Sequence, residues 1–580
     1  MLYGRGEQTV EATFRQANLK SWPSGRQFSL LFRIMSRQER RVGLSLLALC
    51  FITAVSLTGR WLERQTVSIP QAGGEYTEGI IGLPRTANPL LAATAADLDL
   101  SYLTSRGLIQ SGDQGTFIPD LAEAWTVSQD QKTYELKLRP NLHWSDGQPL
   151  TNDDVIFTFR SLQDKKLASP WATSFRGVDI TSQDNGLIKF SLSEPYAPFL
   201  SALTVGIIPT HIWQNIPLPQ WLLAETNLKP VGTGPYRFKS LTHTPNGQLI
   251  SYTLEENPFT HTDKPLLKKI ILRFYPNQEE AWAALRESSI EGLGGLTPTG
   301  LATASLKHFT AYELALPQYT AIFYNPQRQT LLQNQNVRQG LSYAVNRAQL
   351  IQSGLRGAAR PATGPFTFGE VKRRTSADAI TFDATRAATL FSTAGFSLNQ
   401  NDKYYAKAGQ TLELTLTSLD NDEQITIAQI IKQQWEAAGV KVNLETIPAY
   451  RLQRDIITPR HYQALLASEV IGTDPDPYPF WHSSQIAPPG LNLAQFQNPE
   501  ADRLLAEARQ TADLETRLEK YSRFQKILQI ESPATFLYST NYTYLLNNDL
   551  QGLTATSINQ PSDRFRQIAN WYRQTKRQWK

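Results

Sequence analysis

The sequence contains one cysteine, two methionines and seven histidines among its 580 residues. A single cysteine excludes an internal disulfide framework, and a thiolate metal cluster would need several cysteines. The histidines show no metal-ligand spacing, and the motifs of serine hydrolases, zinc proteases and nucleotide-binding loops are missing from the sequence. We therefore expect no catalytic residue, no metal site and no bound cofactor.

The excess of positive charge lies in a short N-terminal tail. The formal net charge is +5, and residues 1–41 carry eight basic and three acidic side chains, so that residues 42–580 sum to zero. A nucleic-acid partner is not expected, because the large remainder of the chain has no excess of basic residues. We interpret the tail as a cytoplasmic segment in front of a membrane anchor.

Residues 42–59 form an apolar run without a charged side chain. An α-helix of this length spans about 27 Å, which approaches the hydrocarbon thickness of a bilayer. By the positive-inside rule, the tail lies in the cytoplasm and the large domain lies outside. We interpret residues 42–60 as a transmembrane anchor, with a signal segment cleaved near residues 54–56 as the alternative. Residues 61–74 are expected to be a linker, and translation from Met35 is a further hypothesis.

The segment of residues 121–159 has the clearest local pattern. Apolar and polar residues alternate along residues 133–139, which is typical of a half-buried strand. Thr151, with Asp154 three residues later, predicts a capping box at the start of a helix with one apolar face. The segment therefore indicates a mixed α/β fold.

A strand–helix–strand unit is predicted in the second half of the chain. Residues 412–419 and 440–447 have strand patterns, residues 423–438 have a helical pattern, and Gly439 suits a left-handed helix cap. This spacing implies a right-handed parallel crossover. Two further helices and then two separate apolar strands are predicted near residues 502–511, 514–530, 534–540 and 542–548.

The pattern of residues 121–159 resembles the extracytoplasmic solute-binding proteins of ABC importers, in the peptide/nickel-binding family 5 of oligopeptide and dipeptide type. Further blocks resemble this family in the same order, within a resemblance that covers residues 74–553; they are residues 231–238, 336–347, 382–396 and 472–485. The resemblance implies an α/β fold of the two-lobed, type II periplasmic-binding-protein class. This fold is a clamshell with an extra α/β subdomain, here preceded by an N-terminal transmembrane helix.

The resemblance also implies how the chain divides into domains. Lobe I is expected from residues 75–116, 209–315 and 535–580, the appended subdomain from residues 117–208, and lobe II from residues 316–534. In the family, the ligand is enclosed in the cleft between the two lobes.

The candidate ligand site is the segment of residues 472–477, Gly-Thr-Asp-Pro-Asp-Pro, which follows an apolar strand. The resemblance implies that an acidic residue here pairs with the α-ammonium group of a peptide, because an enclosed ammonium without a counter-charge would be costly to desolvate. We expect Asp474 in this role, with Asp476 as the alternative, because the loop is shorter than the family pattern. Both aspartates could instead form Asx turns ahead of the prolines.

Neighbouring side chains complete the expected site. Gly472 and Thr473 are expected to contact the ligand, and Tyr478 and Trp481 either wall its pocket or belong to the core. Four arginines are candidates for binding the ligand's carboxylate, because arginine pairs with a carboxylate through two hydrogen bonds. Alternatively, each lies at the solvated surface; they are Arg356, Arg360, Arg373 and Arg374.

The resemblance implies a receptor that is tethered to the cell membrane, with its large domain outside the cell. We expect a monomer that captures oligopeptides and delivers them to the transmembrane subunits of an ABC permease. Within the same fold, the ligand could instead be a nickel chelate, haem or an oligosaccharide, or the receptor could act as a sensor without a permease. A hydrolase of extracellular peptides is disfavoured, because no nucleophile–base pattern is visible.

Overall fold

A computed structural model describes most of the chain and resolves it into two compact units. The units are Met1–Gln71 with Thr575–Lys580, and Ala72–Gln574. The described residues are 36–112, 116–167, 169–183, 186–296, 307–367, 372, 380–448, 451–472, 474–488, 490–511 and 513–579.

Helices occur in both units. The α-helices are α1 Arg37–Gln65, α2 Ala95–Thr104, α3 Asn152–Gln163, α4 Phe199–Ala202, α5 Thr210–Trp213, α6 Gln278–Arg286, α7 Gln335–Tyr343, α8 Arg347–Gly354, α9 Ala384–Thr393, α10 Asp422–Ala437, α11 Tyr478–Trp481, α12 Pro499–Arg509 and α13 Leu514–Glu531. Short 3₁₀ helices cover Ala172–Phe175, Leu218–Leu223, Glu225–Asn227, Thr330–Gln333, Ser483–Gln485, Pro561–Phe565 and Ile568–Asn570, and a π-helix covers Leu452–Ile457.

Strands follow in the same chain order. They are β1 Thr66–Gln71, β2 Glu75–Ile81, β3 Ile109–Ser111, β4 Phe117–Pro119, β5 Ala122–Val127, β6 Thr133–Leu138, β7 Asp179–Ser182, β8 Leu187–Ser191, β9 Tyr236–His243, β10 Leu249–Glu256, β11 Lys269–Tyr275, β12 Gly292–Gly294, β13 Phe309–Ala315, β14 Gln318–Tyr324, β15 Ala359–Pro361, β16 Ser397–Leu398, β17 Tyr405–Lys407, β18 Gln410–Thr411, β19 Glu413–Leu419, β20 Lys441–Ile447, β21 Ala464–Val470, β22 Ala534–Asn547 and β23 Gln574–Trp579.

The first unit contains the apolar helix that the sequence predicts. Within α1, the stretch Arg41–Trp61 is 21 residues long and contains an apolar 18-residue window with a mean hydropathy of 2.1, and its apolar side chains are exposed. A helix of this length and composition can cross a bilayer. The helix is therefore confirmed, whereas its crossing of a membrane stays a prediction.

The second unit is built on one large mixed sheet. Its strand order is β20-β19-β21-β14-β22-β12-β2-β11-β10-β9, and β13 and β15 also pair with β22. The residues predicted as apolar strands near 534–540 and 542–548 do form strand, but as one continuous strand, β22, so only the division into two was wrong. Residues 534–538 of β22 pair with β14, and residues 541–547 pair with β13. A single strand therefore belongs to both halves of the sheet.

The predicted strand–helix–strand unit is confirmed. Strands β19 and β20 pair in parallel, from Glu413 opposite Lys441 to Leu419 opposite Ile447, and α10 connects them. Gly439 follows α10 with φ of +83°, a left-handed conformation that glycine adopts without a side-chain clash.

The capped helix of the opening segment is also confirmed. Thr151 and Asp154 form a reciprocal capping box at the start of α3, and the apolar face of α3 is buried. Strand β6 lies within residues 133–139, as the alternation predicts, and joins the sheet β5-β6-β8-β7.

Buried apolar side chains form several distinct clusters. One lies within residues 90–221, one combines residues 76–316 with residues 544–571, and two lie within residues 319–538. The α/β class is confirmed, and the exact domain boundaries stay a prediction.

Candidate functional site

The bend of residues 472–477 is held in place at the end of β21. Ile471 donates its backbone N–H to the Pro317 oxygen at 2.8 Å, and Gly472 has φ of +86°. The Asp476 N–H donates to the Asp474 oxygen at 2.8 Å, which closes the chain tightly around Pro475. Thr473 lies outside the described residues.

Asp474 forms a bidentate ion pair with Arg517, a residue of the first turn of α13. Nη1 of Arg517 lies 2.9 Å from Oδ2 of Asp474, and Nη2 donates to Oδ1. Both side chains are 9% exposed. Burial disfavours the guanidinium charge, but the attraction of Asp474 prevails and raises the pKa of Arg517 above its ordinary value. The carboxylate of Asp474 therefore has a fixed positive partner inside the protein.

Asp476 forms an ion pair with Arg509, the last residue of α12, through one of its carboxylate oxygens. Nε of Arg509 lies 2.6 Å from Oδ2 of Asp476, and the Tyr478 N–H donates to Oδ1 at 3.1 Å. The second contact is the Asx turn that the sequence offered as an alternative role. Burial raises the pKa of Asp476, and the nearby Arg509 charge opposes this shift. Both carboxylate oxygens of Asp476 are therefore engaged.

The two ion pairs face Tyr134 and Tyr196 from the opposite side of a cleft, and Tyr478 lies on the same side as the bend. The guanidinium carbon of Arg509 lies 4.0 Å from the ring centre of Tyr478 and 5.2 Å from that of Tyr196. The Ala197 N–H donates to the Arg509 backbone oxygen at 2.7 Å. Burial, together with the nearby Asp474 carboxylate, raises the pKa of Tyr134 to about 12. The bend therefore meets the segment of residues 134–197 directly.

A cavity of about 420 Å³ lies where these two parts meet. Ligand pockets in proteins usually have volumes of about 300–1,000 Å³. Its walls include Arg176, Leu192, Glu194 and Tyr196 on one side and Tyr478 and Arg509 on the other. The cavity therefore has the size and the mixed lining of a small-ligand or peptide subsite.

The two aromatic residues predicted beside the bend have different positions. Tyr478 borders the cavity and stacks on His482, with ring centres 4.1 Å apart. Trp481 is fully buried, and its Nε1–H donates to the Tyr319 hydroxyl at 3.2 Å. Trp481 therefore lies in the core beneath the bend, and its contact with a ligand stays a prediction.

The arginines predicted to bind a carboxylate differ from the two arginines that pair with the aspartates of the bend. Arg356 and Arg360 are exposed and stay candidates for binding a carboxylate, whereas Arg373 and Arg374 lie outside the described residues. Arg509 and Arg517 lie 33 and 43 residues after their aspartates. A local sequence pattern cannot predict ion pairs between residues so far apart in the chain, so only the three-dimensional structure shows them.

Comparison with known families identifies the family to which the chain belongs. The model of the bacterial extracellular solute-binding proteins, family 5, middle part, matches residues 116–490, which is more than half of the chain. The chain belongs to this family. The matched region contains β21, the bend and the tyrosines that face it.

Individual relatives extend the match to nearly the whole chain. The oligopeptide-binding protein AppA from Bacillus subtilis is 25% identical over 535 residues, which is 89% of this chain and 96% of AppA. Its solved structure, in complex with a nonapeptide, has a TM-score of 0.71 at 23% identity and covers 87% of this chain and 100% of AppA. The structure of NikZ from Campylobacter jejuni, in complex with Ni(L-His), has a TM-score of 0.72 at 23% identity and covers 86% of this chain and 99% of NikZ. The expected two-lobed α/β fold is confirmed.

Proposed function

We propose that this protein is the substrate-binding receptor of an ABC importer, and that it captures oligopeptides in its interlobe cleft and delivers them to a permease. The observation that carries the proposal is the cavity of about 420 Å³ that Tyr478 and Arg509 line, next to the bend of residues 472–477. The oligopeptide-binding name of AppA, which aligns along 89% of this chain, supports a peptide as the ligand.

One edge of β21 supports binding of an extended chain. Its pairing with β14 continues to Val470, whereas its pairing with β19 covers only Ala464 and Leu465. The backbone groups on the β19 side of residues 466–470 are therefore open to strand addition, in which a peptide hydrogen-bonds to the sheet edge. Side-chain pockets beside that edge then select the ligand.

Closure of the two lobes is the second part of the proposal. A ligand shifts the equilibrium towards the closed form if it makes contacts that the open form lacks. The sandwich of Arg509 between Tyr196 and Tyr478 supplies contacts across the cleft. We propose the bend, with Tyr478, as the ligand-facing part of lobe II, and Trp481 as the side chain that supports it from beneath.

The cellular setting is proposed from the sequence and from α1. We propose that α1 is retained as a single-pass membrane anchor, with the basic tail in the cytoplasm and a monomeric receptor outside the cell. The boundaries of the two lobes and of the appended subdomain are proposed on the basis of the family resemblance.

Native mass spectrometry of the full chain in detergent tests the proposal. We expect bound species that fragment as peptides. Ala506 lines the cavity on α12, so Ala506→Trp should displace these species, whereas Arg503→Trp on the exposed face of the same helix should retain them. Bound haem or a nickel chelate, or peptide retained equally by both variants, would contradict a peptide site in this cavity.

A further inference from the structure

Both carboxylates of the bend already have partners within the protein. Asp474 uses its two oxygens for the guanidinium of Arg517, and Asp476 uses its two oxygens for Arg509 and the Tyr478 N–H. Bidentate pairing such as that of Asp474 with Arg517 is among the stronger and more directional polar contacts in proteins. Neither aspartate is therefore an isolated negative charge that awaits a ligand.

A paired aspartate attracts an ammonium group much less than a free one does. The field of Asp474 is largely cancelled by the charge of Arg517, and an arriving cation meets that positive charge as well. An ammonium that leaves water for this position therefore loses hydration without gaining a full counter-charge. The charge balance of the bend favours a neutral ligand group.

The other nearby acids do not change this balance. Burial raises the pKa of Glu469 to about 8, and this residue accepts a hydrogen bond from Tyr319 in the core beneath the bend. Glu194 lines the cavity but is exposed, so solvent and salt screen its charge, and the exposed Arg176 on the same wall opposes it.

We propose that the ligand group that reaches the bend is uncharged, so that the receptor takes peptides by a blocked amino terminus or an interior stretch instead of a free α-ammonium. This inference rests on the proposed function and names the ligand class of the same site. Asp474 and Asp476 then act as positioning residues: Asp476 holds Arg509 on the wall of the cavity, and Asp474 holds Arg517 within the protein.

A competition between two peptide libraries tests the inference. Random nonapeptides with free amino termini and with isotope-labelled acetylated termini are offered in equal amounts to the full chain, and bound peptides are counted by mass spectrometry. We expect the acetylated library to be bound at least about as well as the free one, within threefold. An enrichment of free amines above threefold overturns the inference; a full charge pair would give tenfold or more.

A variant whose preference between the two libraries should change provides a second test. Arg517→Gln removes the partner of Asp474 and should create a free carboxylate, so this variant should favour free amines by about tenfold or more. An unchanged library ratio in a folded Arg517→Gln variant would contradict the assigned role of the pair.

A measurement without ligand separates this inference from the proposed function. Asp474→Asn leaves Arg517 without its partner and should lower the Tm by about 3 °C or more, whereas Glu500→Gln, in an exposed ion pair, should leave the Tm nearly unchanged. Equal Tm values for the two variants would overturn the inference. If neither library binds, the proposed function fails, and the Tm comparison alone decides whether Asp474 is committed to Arg517.

Discussion

Replacing Arg509 by alanine removes the side chain that connects the bend to the opposite wall of the cleft. The substitution leaves Asp476, whose side chain is 7% exposed, without its positive partner. It also removes the guanidinium from the rings of Tyr196 and Tyr478. The backbone hydrogen bond from Ala197 to residue 509 is retained, so the change tests the side chain alone.

The expected cost follows from these contacts. Breaking a buried ion pair costs about 3–5 kcal/mol, and each cation–π contact adds about 0.5–1 kcal/mol. Because the Arg509 side chain is 24% exposed, we discount the pair and expect a loss of about 3 kcal/mol in the free energy of unfolding. The loss should be smaller at pH 5 than at pH 8, because an unpartnered Asp476 can take up a proton.

Urea unfolding at the two pH values measures the effect, and Arg503→Ala is the matched control. Arg503 lies on the same helix, but its ion pairs with Glu500 and Glu507 are exposed and should contribute less than about 1 kcal/mol. Equal unfolding free energies for Arg509→Ala and Arg503→Ala would refute the assigned role of Arg509.

Three further outcomes are expected. Burial raises the pKa of Glu469 to about 8 from an ordinary 4.5, so the folded protein binds this proton more tightly than the unfolded chain does. The folded protein therefore loses stability as the pH rises between these two values. Glu469→Gln should remove this loss, which is on the order of 4 kcal/mol between pH 5 and pH 8, in urea titrations at the two pH values. Arg564→Met leaves Glu78 and Asp99 buried without their shared partner and should lower the unfolding free energy by about 3–5 kcal/mol in the same assay. Gly439→Ala forces a side chain into a left-handed position, where its Cβ would lie 2.8 Å from Tyr405 Cδ2, and should cost about 1–2 kcal/mol by calorimetry.

Local patterns in the sequence predict local structure well. The capping box at Thr151 and the cap at Gly439 depend on residues within one helical turn, and both are confirmed. The continuity of β22 could not be predicted, because polar Asn541 interrupts its apolar residues. The strand continues there because neighbouring strands on each side supply its hydrogen bonds, from Ala534 through Asn547.

The site was predicted less completely than the fold. The bend after β21 is marked by its glycine and prolines, and the cavity lies beside it. The partners of its aspartates come from helices that begin after Asn498 and Asp513, and only tertiary packing brings them there. The core position of Trp481 was open for the same reason, since an aromatic residue after a turn can face either way.

Closure of the cleft around a peptide is the central step of the proposed function, and a distance measurement across the cleft tests it directly. Because Cys50 is the only cysteine, Cys50→Ser allows spin labels at Asp179→Cys on β7 and Glu519→Cys on α13, both at exposed positions. We expect pulsed electron paramagnetic resonance to give a broad or double distance distribution without ligand and a single shorter distance with saturating nonapeptide. The same distribution with and without saturating nonapeptide would contradict the account.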